Sequence, residues 1–154
     1  DVDPELFGRW GQWAALSPVT RFHGVGLREP TAYPEPWRSA VIAALRLRQR
    51  LIPYLAGEYD HLRHLGQPLL RPMVLDHPAA PREVDTQYLL GRELLVAPVL
   101  QPGGRVRVWF PDTDWVPLLG APRPQAGGFS DVRVRPDEFS VYARPRLASA
   151  ITPD

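Results

Sequence analysis

The sequence predicts an α+β fold in which two helices lead into a set of short antiparallel strands. Three observations carry this. Apolar residues recur at three- and four-residue steps as far as Leu65, the period drops to two after Gly66, and Pro, Gly and Asp punctuate the alternating runs. At 154 residues the chain suits roughly one domain of the usual ~100–200 residues. It is shorter than the about 250 residues of a complete (β/α)8 barrel.

The first helix begins at Asp3-Pro4, a capping residue followed by a proline suited to the first turn, and runs to about Leu16. Its expected apolar side carries Leu6, Trp10, Trp13 and Ala14, and Ser17-Pro18 ends it. A short run of strand type, VTRFHGVG, follows, and then a loop over 24–36 rich in Gly and Pro. The second helix is predicted from Pro36-Trp37 to about Leu65, with a stripe of Ile42, Leu45, Ile52, Leu55, Tyr59 and Leu62. Val41, Ala44, Leu47 and Leu51 widen that stripe, so most of the helix is expected to be covered by protein. Pro53 is expected to kink or split it, and Gly66 to stop it.

Beyond Gly66, alternation marks half-buried strands at Arg105–Phe110, around Val132 and Val134, and at Phe139–Arg144. LLVAPVL at 94–100 is continuously apolar and is the candidate central strand, while PDTDW and QAGGF supply turns. The expected architecture is a helical part over residues 1–66 and an antiparallel β-sandwich over 67–154.

Composition excludes several function classes. Eighteen basic and 17 acidic side chains leave a formal charge of +1, with no net field to recruit nucleic acid or an anionic membrane. All the basic residues are arginine, a bias that genomic base composition explains more simply than function. The absence of cysteine excludes disulfides, thiolate zinc sites and a cysteine nucleophile, but names no compartment. No apolar run approaches the roughly 20 residues of a membrane span. The opening DVDPELFGRW has neither an initiator methionine nor a basic-then-apolar leader, and reads as mature, trimmed or internal to something longer.

Six ordered blocks carry a resemblance. They are PELFGRWGQWAALSPVTRFHG at 4–24, EPW at 35–37, LRLRQRLIPYL at 45–55, DTQYLLGRELLVAPV at 85–99, VWFPDTDWVPLLG at 108–120 and FSVYAR at 139–144. Together they resemble the C-terminal stretch of glycoside hydrolase family 31, the α-glucosidase and α-xylosidase family. The resemblance implies the last strand and flanking helices of a (β/α)8 catalytic barrel, followed by a proximal β-sandwich. Residues 18–24 would be the eighth barrel strand and 37–65 the closing helix. One departure is visible: after FSVYAR the family continues with a small residue and a glycine into a last strand, whereas Pro145 and Arg146 follow here.

The family resemblance implies a retaining α-glycosidase, which needs two carboxyl groups flanking the scissile bond. By resemblance both are aspartates on earlier barrel strands, so no catalytic residue is assigned in this chain and the chain alone is expected to be inactive. Asp85, Glu93, Asp112, Asp114 and Glu29 read as solvated or turn-capping carboxylates. The substrate-binding candidates implied by the RxH motif are His23, which would hydrogen-bond a ring hydroxyl of the cleaved sugar, and Arg21, which would order the rim or form a structural ion pair. Trp37 and Phe22 are apolar surfaces better suited to packing. His61 and His64 with Glu58 are a weak metal signal, so no metal and no cofactor are expected. Arg46, Arg48 and Arg50 share no helical face, which favours solvated or ion-paired roles over nucleic-acid binding. The expected partner is an oligosaccharide or α-glycoside, and the exposed helices of an isolated chain are expected to self-associate. The alternative is a freestanding, non-catalytic sandwich module that binds carbohydrate or protein.

Overall fold

The computed structural model describes residues 2–124 and 127–151. Helix α1 spans Pro4–Ala15, with the Asp3 carboxylate accepting from the Leu6 N–H at 2.9 Å and Pro4 in its first turn. Its buried face differs from the expected one. Leu6 is 62% and Trp13 40% exposed, whereas Phe7, Gly8, Gly11, Ala14 and Ala15 are buried. The reason is close helix packing. A Cβ at Gly8 would lie 2.3 Å from the Trp37 ring, and one at Gly11 would lie 2.7 Å from a Val41 methyl. The two glycines therefore let α1 sink onto α2 (Trp37–His64), and the larger residues are left on the outer side.

Helix α2 runs 28 residues without a break. Pro53 does not split it: Pro53 and Gln49, whose carbonyl loses its N–H partner, both lie on the exposed side, where water can replace the bond. Its buried face is Ala40, Val41, Ala44, Leu47, Leu51, Leu55, Glu58 and Leu62. Ile52 and Tyr59 are more than half exposed, so the helix is covered on one side only. It ends as predicted at Gly66, whose positive φ of 66° allows Gln67 N–H to reach the Leu62 carbonyl at 2.9 Å.

The second half builds two sheets. Strands β1 (Leu70–Pro72), β2 (Tyr88–Leu90), β3 (Leu94–Val96), β5 (Val116–Leu118) and β7 (Val141–Ala143) form an antiparallel sheet in the order β1-β2-β3-β7-β5. β3 is its middle strand, in line with the continuous apolar run. Strands β4 (Arg105–Phe110) and β6 (Gly128–Arg133) make a separate antiparallel pair. Of the expected QAGGF turn before β6, Gln125 and Ala126 lie outside the described residues. A one-turn helix, α3 (Met73–Asp76), follows β1.

The five-stranded sheet is buried on both faces. Leu90, Leu94, Val96, Val141 and Ala143 pack with Leu16 and with Leu47, Leu51 and Leu55 of α2. Leu89, Leu95 and Tyr142 form a cross-strand row on the opposite face and pack with Val108, Phe110 and Val132 of the β4–β6 pair. Burial pushes the Tyr142 hydroxyl pKa up to about 12.

One strand expectation is corrected, and the stretch left open after Arg144 is now defined. The strand expected over 18–24 does not form, because a ladder needs a neighbour and no described strand pairs with this segment. The stretch after Arg144 is a helix, α4 (Pro145–Ile151), with Pro145 in its first position and Leu147, Ala148 and Ile151 packed into the core beside α2.

Candidate functional site

The segment that leaves α1 carries both sugar-binding candidates. Phe22 points inward, its ring 5.2 Å from that of Trp10 and 6.2 Å from that of Phe7. Phe7 is in turn stacked on Tyr33 at 3.6 Å, which ties the 24–36 loop to the same aromatic group. Arg21 and His23, on either side of Phe22, are both exposed. The Arg21 Nη2 lies 3.3 Å from His23 Nδ1. A guanidinium only donates, so in the neutral ring Nδ1 accepts and the imidazole proton sits on Nε2. The pair thus presents a ring N–H and a cation side by side on the surface, groups able to bond hydroxyl oxygens.

The segment's start is held from two directions. Arg48 of α2 donates through Nη1 to the carbonyls of Ala15 (2.9 Å) and Ser17 (2.5 Å), and through Nη2 to that of Pro18 (3.0 Å). The Tyr88 hydroxyl donates to the Leu16 carbonyl at 2.9 Å. Burial lowers the Arg48 pKa and raises that of Tyr88. Neither residue carries a motif. The available signal for Arg48 was its place beside Leu47, Leu51 and Leu55 on a helix face that is otherwise core. Arg48 is neither freely solvated nor ion-paired, as had been expected; it binds backbone.

The remaining candidates have structural occupations. Phe22 and Trp37 are half-buried, and Trp37 lies against Gly8 with the Arg9 guanidinium over its ring at 5.1 Å. Asp112 binds Arg144 at 2.7 and 2.9 Å and accepts from the Asp114 N–H at 2.9 Å; the Arg144 hydrogen bonds hold its pKa below the ordinary carboxylate value. Glu29 accepts from the Arg28 N–H, and Asp85 is exposed. Glu93 is half-buried, and its N–H is bound by the Tyr54 hydroxyl. Glu58 is taken by Arg92, while His61 and His64 are exposed on α2. Among the described residues no three His, Asp or Glu side chains are grouped to hold a metal ion. No described helix is long and apolar enough to cross a membrane.

Residues 1–58 match the profile of the glycosyl hydrolases family 31 TIM-barrel domain, and residues 66–145 match that of the family 31 C-terminal domain. The chain belongs to glycoside hydrolase family 31. An alpha-xylosidase of Saccharolobus solfataricus is 28% identical over 145 residues, covering 91% of this chain and 20% of the relative. A probable alpha-glucosidase of Oryza sativa subsp. japonica is 39% identical over 120 residues, covering 74% of this chain and 13% of the relative. Among solved structures, a family 31 alpha-xylosidase from a soil metagenome, complexed with xylose, superposes with a TM-score of 0.82 at 26% identity. That match covers 97% of this chain and 26% of the solved one. The family 31 chain described here therefore spans a fifth or less of the curated relatives just named. It combines the end of a family barrel with the family's C-terminal domain.

Proposed function

We propose that this chain is the C-terminal part of a retaining α-glycosidase that hydrolyses terminal α-linked sugars, and that it supplies one wall of the sugar site. The observation that carries the reading is the exposed Arg21–His23 pair, set just beyond α1 within the stretch similar to the family's barrel domain. Active sites of such barrels collect at the C-terminal ends of the strands. There the His23 Nε2–H would donate to a ring hydroxyl, with Arg21 holding the ring in that tautomer. A hydroxyl contact that tightens in the transition state lowers the barrier.

On this reading residues 1–66 complete a barrel and residues 67–154 form a proximal β-sandwich, its two layers being the five-stranded sheet and the β4–β6 pair. The eighth barrel strand, 18–24, would become a strand when the seventh lies beside it. Both catalytic aspartates would belong to barrel strands outside this sequence. The described carboxylates support this, since Asp112 and Glu58 are committed to arginines and Asp85 and Glu29 are exposed on loops.

The test begins with the reading frame upstream of Asp1, which is expected to encode the earlier barrel strands with two aspartates. The complete product should release p-nitrophenol from p-nitrophenyl α-glucoside or α-xyloside, and H23A should lower kcat/KM at least tenfold. The 154-residue chain alone should give no turnover. Turnover by that chain, or an upstream frame without barrel sequence, overturns the proposal.

A further inference from the structure

Four consecutive carbonyls, those of Ala15, Leu16, Ser17 and Pro18, each accept a hydrogen bond from a side chain 30 to 72 residues further along the chain. A helix end leaves its last carbonyls without partners, and turn bonds or water commonly satisfy them. Water is shut out at Leu16, which is fully buried, and nearly so at Ser17, while Pro18 is exposed. The donors also come from two different parts of the molecule. Arg48 belongs to the stretch similar to the family's barrel domain, and Tyr88 of β2 to the stretch similar to its C-terminal domain.

This fan of bonds has a directional consequence. A planar guanidinium that binds three carbonyls at once fixes their relative orientation, because its N–H groups diverge at set angles. Tyr88 adds a fourth direction from the sheet. The peptide that leaves Pro18 is therefore aimed, and Phe22 is then caught between Trp10 and Phe7. With both ends of 19–22 held, Arg21 lies between two anchors and His23 directly follows the second.

We propose that Arg48 and Tyr88 are positioning residues for the Arg21–His23 rim, so that the C-terminal domain takes part in shaping the sugar site through the Tyr88 hydroxyl. The proposal rests on the reading of His23 as a sugar contact. Neither residue touches the sugar; each acts through the backbone of residues 15–18.

The test uses the 154-residue chain labelled with 15N, as wild type, R48Q, R48K and Y88F. The readouts are backbone order parameters of Thr20–His23 and the imidazole resonances of His23. In R48Q and Y88F the order parameters should fall from the ~0.85 of rigid backbone to below ~0.6. The His23 ring signals should move toward those of free histidine, while the amides of α2 and β3 keep wild-type values. R48K should recover part of the order, because an ammonium reaches the same carbonyls without the fork. Y88F keeps the buried ring and guards against simple unfolding. Unchanged order at Thr20–His23 in both R48Q and Y88F, or an equal loss throughout the chain, overturns the proposal. Failure of the sugar reading appears separately, as wild-type turnover by H23A in the complete product, and leaves these order parameters where they are.

Discussion

Gln87 stands where a strand would otherwise stand. Its side-chain amide accepts from the Trp109 N–H at 2.7 Å and donates to the Trp109 carbonyl at 2.8 Å, the two bonds a neighbouring strand would make. Because Gln87 immediately precedes β2 and Trp109 lies in β4, one buried side chain stitches the two sheets together and closes an edge of the smaller one. Q87A leaves both backbone groups without that partner. A loss of about 1–3 kcal/mol in denaturant unfolding is expected, and a midpoint equal to that of wild type would refute the role. Nothing in the sequence singled out Gln87, since a glutamine that pairs with backbone has no period or motif. Arg21 and His23 differ in this respect. The family resemblance drew attention to Arg21 and His23, and the structure puts them beside each other. Arg48 and Tyr88 were illegible because their partners are carbonyls, which every residue carries.

At the scale of elements, the α2–hairpin joint is an acid-sensitive contact. The tip between β2 and β3 is bound to α2 by Tyr54, which donates to the Leu90 carbonyl and accepts from the Glu93 N–H, both at 2.9 Å. Glu58 completes the joint by accepting from the Arg92 N–H at 2.9 Å and from its guanidinium at 2.8 Å. Burial alone would raise the Glu58 pKa, but the Arg92 bonds outweigh it and bring it below the ordinary 4.5. A carboxylate with a depressed folded pKa contributes stability that is complete above the unfolded value and lost as pH falls through the folded one. Melting temperature should therefore fall more steeply below pH 4.5 in wild type than in E58Q. Asp112, depressed by Arg144, leaves E58Q some remaining slope of the same sign. Parallel Tm–pH curves would refute this account. Element boundaries were otherwise well marked in the sequence by Asp3-Pro4, Ser17-Pro18 and Gly66. The inner face of α1 was not, because Leu6, Trp10 and Trp13 look like a core while Gly8 and Gly11 look like nothing. Only the proximity of Trp37 and Val41 gives those glycines a purpose.

For the whole molecule, the outer side of α2 is the conspicuous surface. Val19, Ile52, Tyr59 and Leu69 line an open apolar groove of about 730 Å³ together with Leu55 and Leu62. On the proposed function this face meets the remaining barrel. An isolated chain is expected instead to cover it with a second copy, through Ile52 and Tyr59, which are more than half exposed. Light scattering of the 154-residue chain is expected to give a dimer, and I52D should shift it toward monomer. A wild-type monomer would refute the expectation.

The core that unites α2 with the five-stranded sheet bears on how such a gene can be recombined. Leu47, Leu51 and Leu55 share one apolar cluster with Leu16, Leu90, Leu94 and Val141. A crossover at residue 66 would divide this cluster between two parents, and each daughter would inherit knobs cut for another parent's holes. At this cluster, residues from both sides of position 66 pack together. A chimaera should therefore keep α2 and the five-stranded sheet from one parent, so that this cluster is inherited whole.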